Sequence, residues 1–151
     1  MDNDHKIITK SAEETAKIGE ELARQLTDGG SGPHILCLYG DLGSGKTTFT
    51  QGFARGLGIT SRLLSPTFII VRRYDIPVTG KKLYHIDLYR LQNTEDFTEL
   101  GLSEIFSDFD AYVVVEWAEK LGDMLPVARR DITFTARHDG SHTLKVGQLT
   151  T

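Results

Sequence analysis

One stretch restricts the fold more than any other: "LYGDLGSGKTTFTQGF", residues 38–53. Gly40, Gly45, Lys46 and Thr47 fill every fixed position of G-x-x-x-x-G-K-[ST]. The physical demand behind this spacing is that several backbone N–H groups must face one hollow where phosphate oxygens sit. Side chains would obstruct that approach, so glycine stands at Gly40, Gly43 and Gly45. The pattern needs a strand before it and a helix after it. Both are present. "HILCLY" is a short continuous apolar run, as in a strand buried on both faces. Lys46 to Leu57 reads as a helix that stops at Gly58. The start of that helix adds a partial positive charge beside the loop. Lys46 is placed to reach the β- and γ-phosphates, and the Thr47 hydroxyl to ligate Mg²⁺. A nucleotide triphosphate is the expected ligand. The loop alone does not choose between ATP and GTP, or between hydrolysis and phosphoryl transfer.

The remaining elements alternate in the manner of an α/β protein. Ser11 to Leu26 reads as a helix, with Ser11 and Glu14 in capping-box positions. "TFIIVRRY" and "KKLYHIDLY" are β-rich runs joined through Pro77 and Gly80, which predicts a hairpin. "TEDFTELGLSEIF" reads as helix with a glycine interruption, "AYVVV" as a second buried strand, and "EWAEKLGDML" as a short helix. "DITFTAR" and "HTLKVGQL" flank "HDGS", a further hairpin signal. The expectation is one domain over residues 1–151: a P-loop NTPase fold, three-layered, with a mixed parallel and antiparallel central sheet.

Composition narrows the function class. The chain has 151 residues, 39% hydrophobic and 25% charged, with a net charge of −4. That supports one core and shows no basic bias of the kind a stand-alone nucleic-acid binder carries. The pairs Arg72–Arg73 and Arg129–Arg130 read as solvated surface charge. The one cysteine, Cys37, lies in the apolar run and reads as a small buried hydrophobe. "MDNDHKIITK" does not resemble a signal peptide, and no apolar run reaches membrane-spanning length, so a soluble cytoplasmic protein is expected.

Phosphoryl chemistry on this fold needs an acid at the end of a strand beside the loop strand. Glu116 follows "AYVVV" directly, and Asp87 lies in "LYHIDLYR". On an alternating strand His85 and Asp87 share one face, with Tyr84, Ile86 and Leu88 on the other. Each acid also has an ordinary reading. Glu116 fits the first turn of a following helix, and Asp87 fits a surface residue or a partner for Arg90. In "SPTF", Thr67 is placed as a switch threonine would be, or as ordinary strand entry after Pro66. Trp117 fits the core, an interface or the site wall. His34, His138 and His142 show no metal-ligand spacing. There is no N-K-x-D guanine-reading motif, no L-S-G-G-Q signature and no arginine-rich lid. This weighs against a GTPase, a transporter ATPase and a nucleotide kinase.

"GDLGSGKTTFTQGFARGLG", "SPTF", "YHIDLYRL" and "VVEWAEKL", in this order, resemble the bacterial TsaE family, also called YjeE. The resemblance spans roughly residues 7–137. It implies a small P-loop ATPase needed for threonylcarbamoyl-adenosine modification of tRNA at adenosine 37. It implies that Gly43, Ser44, Gly45, Lys46, Thr47 and Thr48 hold the ATP phosphates. Thr47 and Glu116 are then the Mg²⁺ ligands, Asp87 the acid needed for hydrolysis, Thr67 the switch threonine and Trp117 the aromatic beside the metal-side acid. Thr9 and Ser11, in "TKSAEET", stand where the family adds to the nucleotide pocket. Ser44 departs from the alanine of many relatives. The implied partners are TsaD and TsaB, through which tRNA is reached, with hydrolysis slow until the assembly completes the site. A small-molecule kinase and a nucleotide-dependent binding module are the competing readings on the same fold.

Overall fold

All six residues of β5 (Ala111–Glu116) are buried, as are the four central residues of β2 (His34–Tyr39). Continuous apolar runs of this kind can be buried on both faces only in the middle of a covered sheet. The computed structural model, which describes residues 5–29, 34–61, 63, 70–91 and 100–149, places them there. The other strands are β1 (His5–Thr9), β3 (Val71–Asp75), β4 (Lys82–Asp87), β6 (Arg130–Ala136) and β7 (His142–Val146). Their spatial order is β1-β7-β6-β2-β5-β4-β3. β6, β2, β5 and β4 run parallel. The β3–β4 and β6–β7 hairpins and the pairing of β1 with β7 add antiparallel flanks. The sheet is therefore mixed, with helices on both faces.

On one face lie α1 (Ala12–Asp28) and α2 (Lys46–Gly56). Phe49 and Phe53 of α2, one turn apart, are fully buried against Leu36, Leu38, Tyr112, Val114, Ile132 and Phe134. Each such phenylalanine contributes about 1.5–3 kcal/mol by leaving water. The two helices approach backbone to backbone. A Cβ on Gly52 would stand 1.8 Å from the Ala16 carbonyl oxygen, and one on Gly19 2.3 Å from that of Phe49. This contact seats the N-terminus of α2 at the end of β2. On the other face Ile35, Cys37, Ile86, Val113 and Val115 meet Leu102 of α3 (Leu102–Phe106) and Ala118 and Leu121 of a 3₁₀ helix (Ala118–Met124).

Cys37 is fully buried, and desolvation pushes its thiol up to about 12. Since the thiolate is the nucleophile, the native chain is expected to resist a disulfide reagent at neutral pH and to react in denaturant. Rapid stoichiometric labelling of the folded chain would contradict this burial.

Two expectations change in detail. The N-terminal decapeptide, for which no element was expected, supplies edge strand β1, held by its register with β7 from His5↔Val146 to Thr9↔His142. "EWAEKLGDML" is not a regular helix. Glu116 closes β5, Trp117 takes a left-handed conformation, and the 3₁₀ helix is broken at Gly122 (φ 53°, ψ −122°). Of the helix expected across residues 94–106, the described part after the left-handed Gly101 is α3, and residues 92–99 lie outside the described residues.

Candidate functional site

The loop between β2 and α2 follows from its glycines. Gly40 has φ 146°, and a Cβ there would lie 2.6 Å from the Phe134 carbonyl oxygen. Gly45 has φ 110° and stands directly before α2, where it has no side chain to cap the helix. The first N–H groups of α2 are thereby left facing the hollow, the arrangement that suits an anion. Lys46 is buried, with its ammonium donating to the Gly40 carbonyl and lying 3.8 Å from the centre of the Trp117 ring. Burial lowers the Lys46 pKa, opposed first by the charge of Glu116 and then by Glu119, Asp87 and Asp41. Trp117 has φ 60°, an unusual conformation for a large side chain, and such strain is held in place by its surroundings. Here the ring is bracketed by Lys46 and by Tyr89, whose ring centre is 5.1 Å away.

The two candidate acids are partners in the β4–β5 ladder, Asp87 opposite Glu116, at the strand ends beside the loop. Glu116 is buried. One oxygen, Oε1, accepts from the Thr47 hydroxyl at 3.2 Å. The other, Oε2, is 2.5 Å from His85 Nε2. Because a carboxylate oxygen only accepts, the imidazole carries its hydrogen on Nε2. Asp87 is half-buried and accepts from the Tyr89 backbone N–H at 3.0 Å. Burial pushes its pKa up, the Tyr89 bond pulls it back, and the charge of Glu116 pushes it up further.

A cavity of about 420 Å³ opens over these groups. It falls within the range of about 300–1,000 Å³ usual for small-molecule sites. Gly43, Ser44, Gly45, Lys46, Thr47 and Thr48 line it, together with Asp87, Glu116 and Trp117. Ser11 is not among the lining residues. Its hydroxyl accepts from Glu14 N–H at 3.1 Å and caps α1, and the next residue, Ala12, lines the cavity instead. Thr9 is buried behind the wall, its hydroxyl 2.7 Å from that of Thr15, which does line it. Thr67 lies outside the described residues. The Ser44 hydroxyl is buried without a hydrogen-bond partner among the described residues.

Two histidines take part in the site beyond what their sequence positions indicate. Alternation puts His85 on one face with Asp87, and in the structure it also holds Glu116. His142 also lines the cavity, and its Nδ1–H donates to the Ser44 carbonyl at 2.8 Å, tying β7 to the loop. Only the alternation of β4 signalled the first. Nothing near His142 in sequence signals the second, because its partner lies 98 positions away.

The donor set suits Mg²⁺. Thr47 and Glu116 offer two hard oxygens, and Mg²⁺ usually binds through one or two protein groups with phosphate oxygens and water completing its shell.

The family model described as "Threonylcarbamoyl adenosine biosynthesis protein TsaE" matches residues 9–144. A tRNA threonylcarbamoyladenosine biosynthesis protein TsaE of Bacillus subtilis is 41% identical over 140 residues, covering 85% of this chain and 83% of that protein. Its counterpart in Treponema pallidum is 35% identical over 139 residues, covering 92% and 97%. A crystal structure of Bacillus subtilis YdiB superposes with a TM-score of 0.78 at 34% identity, covering 97% of this chain and 86% of that one.

Proposed function

The chain belongs to the TsaE family of tRNA threonylcarbamoyladenosine biosynthesis, and from that membership we propose that it binds and hydrolyses Mg-ATP in the service of a TsaB–TsaD assembly. One observation carries the reading. Lys46, the Thr47–Glu116 pair and Asp87 converge on one cavity at the N-terminus of α2. In this reading the loop N–H groups and the helix terminus take the phosphates. Lys46 exchanges the Gly40 carbonyl and the Trp117 ring for β- and γ-phosphate oxygens. A phosphate adds negative charge in direct contact with the desolvated ammonium, beyond that of the nearby Glu116, Glu119, Asp87 and Asp41. Thr47 and Glu116 hold Mg²⁺, which when bound neutralises charge on the phosphates. Asp87, at the far side of Glu116 from the loop strand, orients a water and accepts its proton. His142 steadies the loop through Ser44. Partners complete the site and speed the reaction, and they carry most of the contact with tRNA, in keeping with the net charge of −4.

Phosphate release from ATP by the purified chain, alone and with its TsaB–TsaD pair, tests this. The expected result is a slow rate that rises when the pair is added. A pair that binds the chain and leaves the rate unchanged would contradict partner activation. ADP formed together with a phosphorylated acceptor, instead of free phosphate, would point to a kinase.

A further inference from the structure

We infer that His85 is the positioning residue for Glu116, fixing which carboxylate oxygen faces a cation held against Thr47. The inference rests on the Mg-nucleotide reading above. Three observations support it. First, both side chains are buried, His85 at 1% and Glu116 at 3% exposure, and the Nε2–Oε2 distance is 2.5 Å. Second, Oε1 is left for Thr47, whose hydroxyl is 3.2 Å away. The terminal torsion of a glutamate is broad and roughly two-fold. Anchoring Oε2 removes that freedom and presents Oε1 alone to the loop. Third, His85 is itself fixed, since β4 is paired on both sides, with Arg72 and Val114 as its ladder neighbours.

The other ring nitrogen bears on whether the residue merely fills space. Nδ1 is buried and has no hydrogen-bond partner among the described residues. An apolar side chain would fill the same volume without stranding a nitrogen. What the imidazole adds is the donor it gives Glu116. Groups that orient a metal-ligating carboxylate in this way preset the site before the metal arrives.

The test separates metal binding from nucleotide binding. ATP affinity is measured for the whole chain in EDTA and across a Mg²⁺ titration, by calorimetry and by the fluorescence of Trp117, the single tryptophan. In His85→Leu the Mg²⁺ concentration for half the effect is expected to rise about 10–100-fold, with affinity in EDTA unchanged. His85→Gln, whose amide nitrogen reaches the place of Nε2, is expected to restore most of the Mg²⁺ response. If the leucine variant does not fold, His85→Asn, which is too short to reach Oε2, makes the same comparison. An unshifted Mg²⁺ midpoint overturns the inference, and so does a glutamine variant as impaired as leucine. A native chain whose ATP binding ignores Mg²⁺ would instead defeat the reading beneath it.

Discussion

Asp87→Asn is expected to lower phosphate release from ATP by about 10²–10⁴-fold, the usual contribution of a positioned general base. ATP should still bind. Asparagine keeps the shape of the side chain, and its oxygen can still accept from Tyr89 N–H. What it loses is the ability to take a proton. The substitution also removes a negative charge from the neighbourhood of the phosphates, so affinity should hold or improve. The native pH profile provides a linked check. In the proposed role Asp87 must be ionised to take the proton, and burial raises its pKa. Activity should therefore fall, as pH is lowered, at a higher pH than an ordinary aspartate would give. Single-turnover hydrolysis and equilibrium ATP binding, measured on the same preparation, decide the matter. A variant that hydrolyses at the native rate removes Asp87 from the chemistry.

Gly52→Ala should be the most damaging single-methyl change in the α1–α2 contact. Glycine to alanine inside a helix ordinarily stabilises by about 0.5–1 kcal/mol. Here the sign reverses. The added Cβ would stand 1.8 Å from the Ala16 carbonyl oxygen and 2.5 Å from its carbon, both backbone atoms that no rotamer change can move. The helices must separate, which loosens Phe49 and Phe53 in the core and shifts the start of α2. A loss of more than about 4 kcal/mol is expected, in the exceptional range for point substitutions. This is a large share of the roughly 5–15 kcal/mol that holds a domain together. Gly58→Ala provides the contrast. Gly58 has φ 91° with no described residue within 4 Å of a Cβ, so backbone strain of about 1–2 kcal/mol is what applies. Urea unfolding followed by circular dichroism compares the two. Equal losses would mean that the close approach of α1 and α2 is not what makes Gly52 necessary.

Much of the architecture was legible because the responsible signals are local. "HILCLY" and "AYVVV" are too apolar to face water on either side, and both became central parallel strands. Pro77 and Gly80 marked a turn, and β3 and β4 form the hairpin around it. β1 escaped notice because "HKIIT" is short and half polar, with a period that becomes significant only once β7 lies beside it. The segment after "AYVVV" has a helical composition, yet it forms a broken 3₁₀ helix. The chain turns left-handed at Trp117 and breaks at Gly122, while Ala118 and Leu121 pack against Val113 and Val115 of β5 and the Trp117 ring lies against Lys46 of the loop.

The same division runs through the candidate site. Gly40, Gly45, Lys46 and Thr47 could be read from spacing because their work is done by backbone conformation within eight residues: a left-handed glycine, then the first turn of a helix. The contacts that complete the site span far greater separations. Thr47 meets Glu116 across 69 positions, His85 meets Glu116 across 31, and His142 meets Ser44 across 98. No local preference links such residues. Sequence determined that a phosphate-type loop would follow a buried strand and open a helix. The order of strands in the sheet decided which carboxylate, which imidazole and which hydroxyl stand around it, since only parallel pairing of β2 with β5 and of β5 with β4 brings those strand ends to one edge.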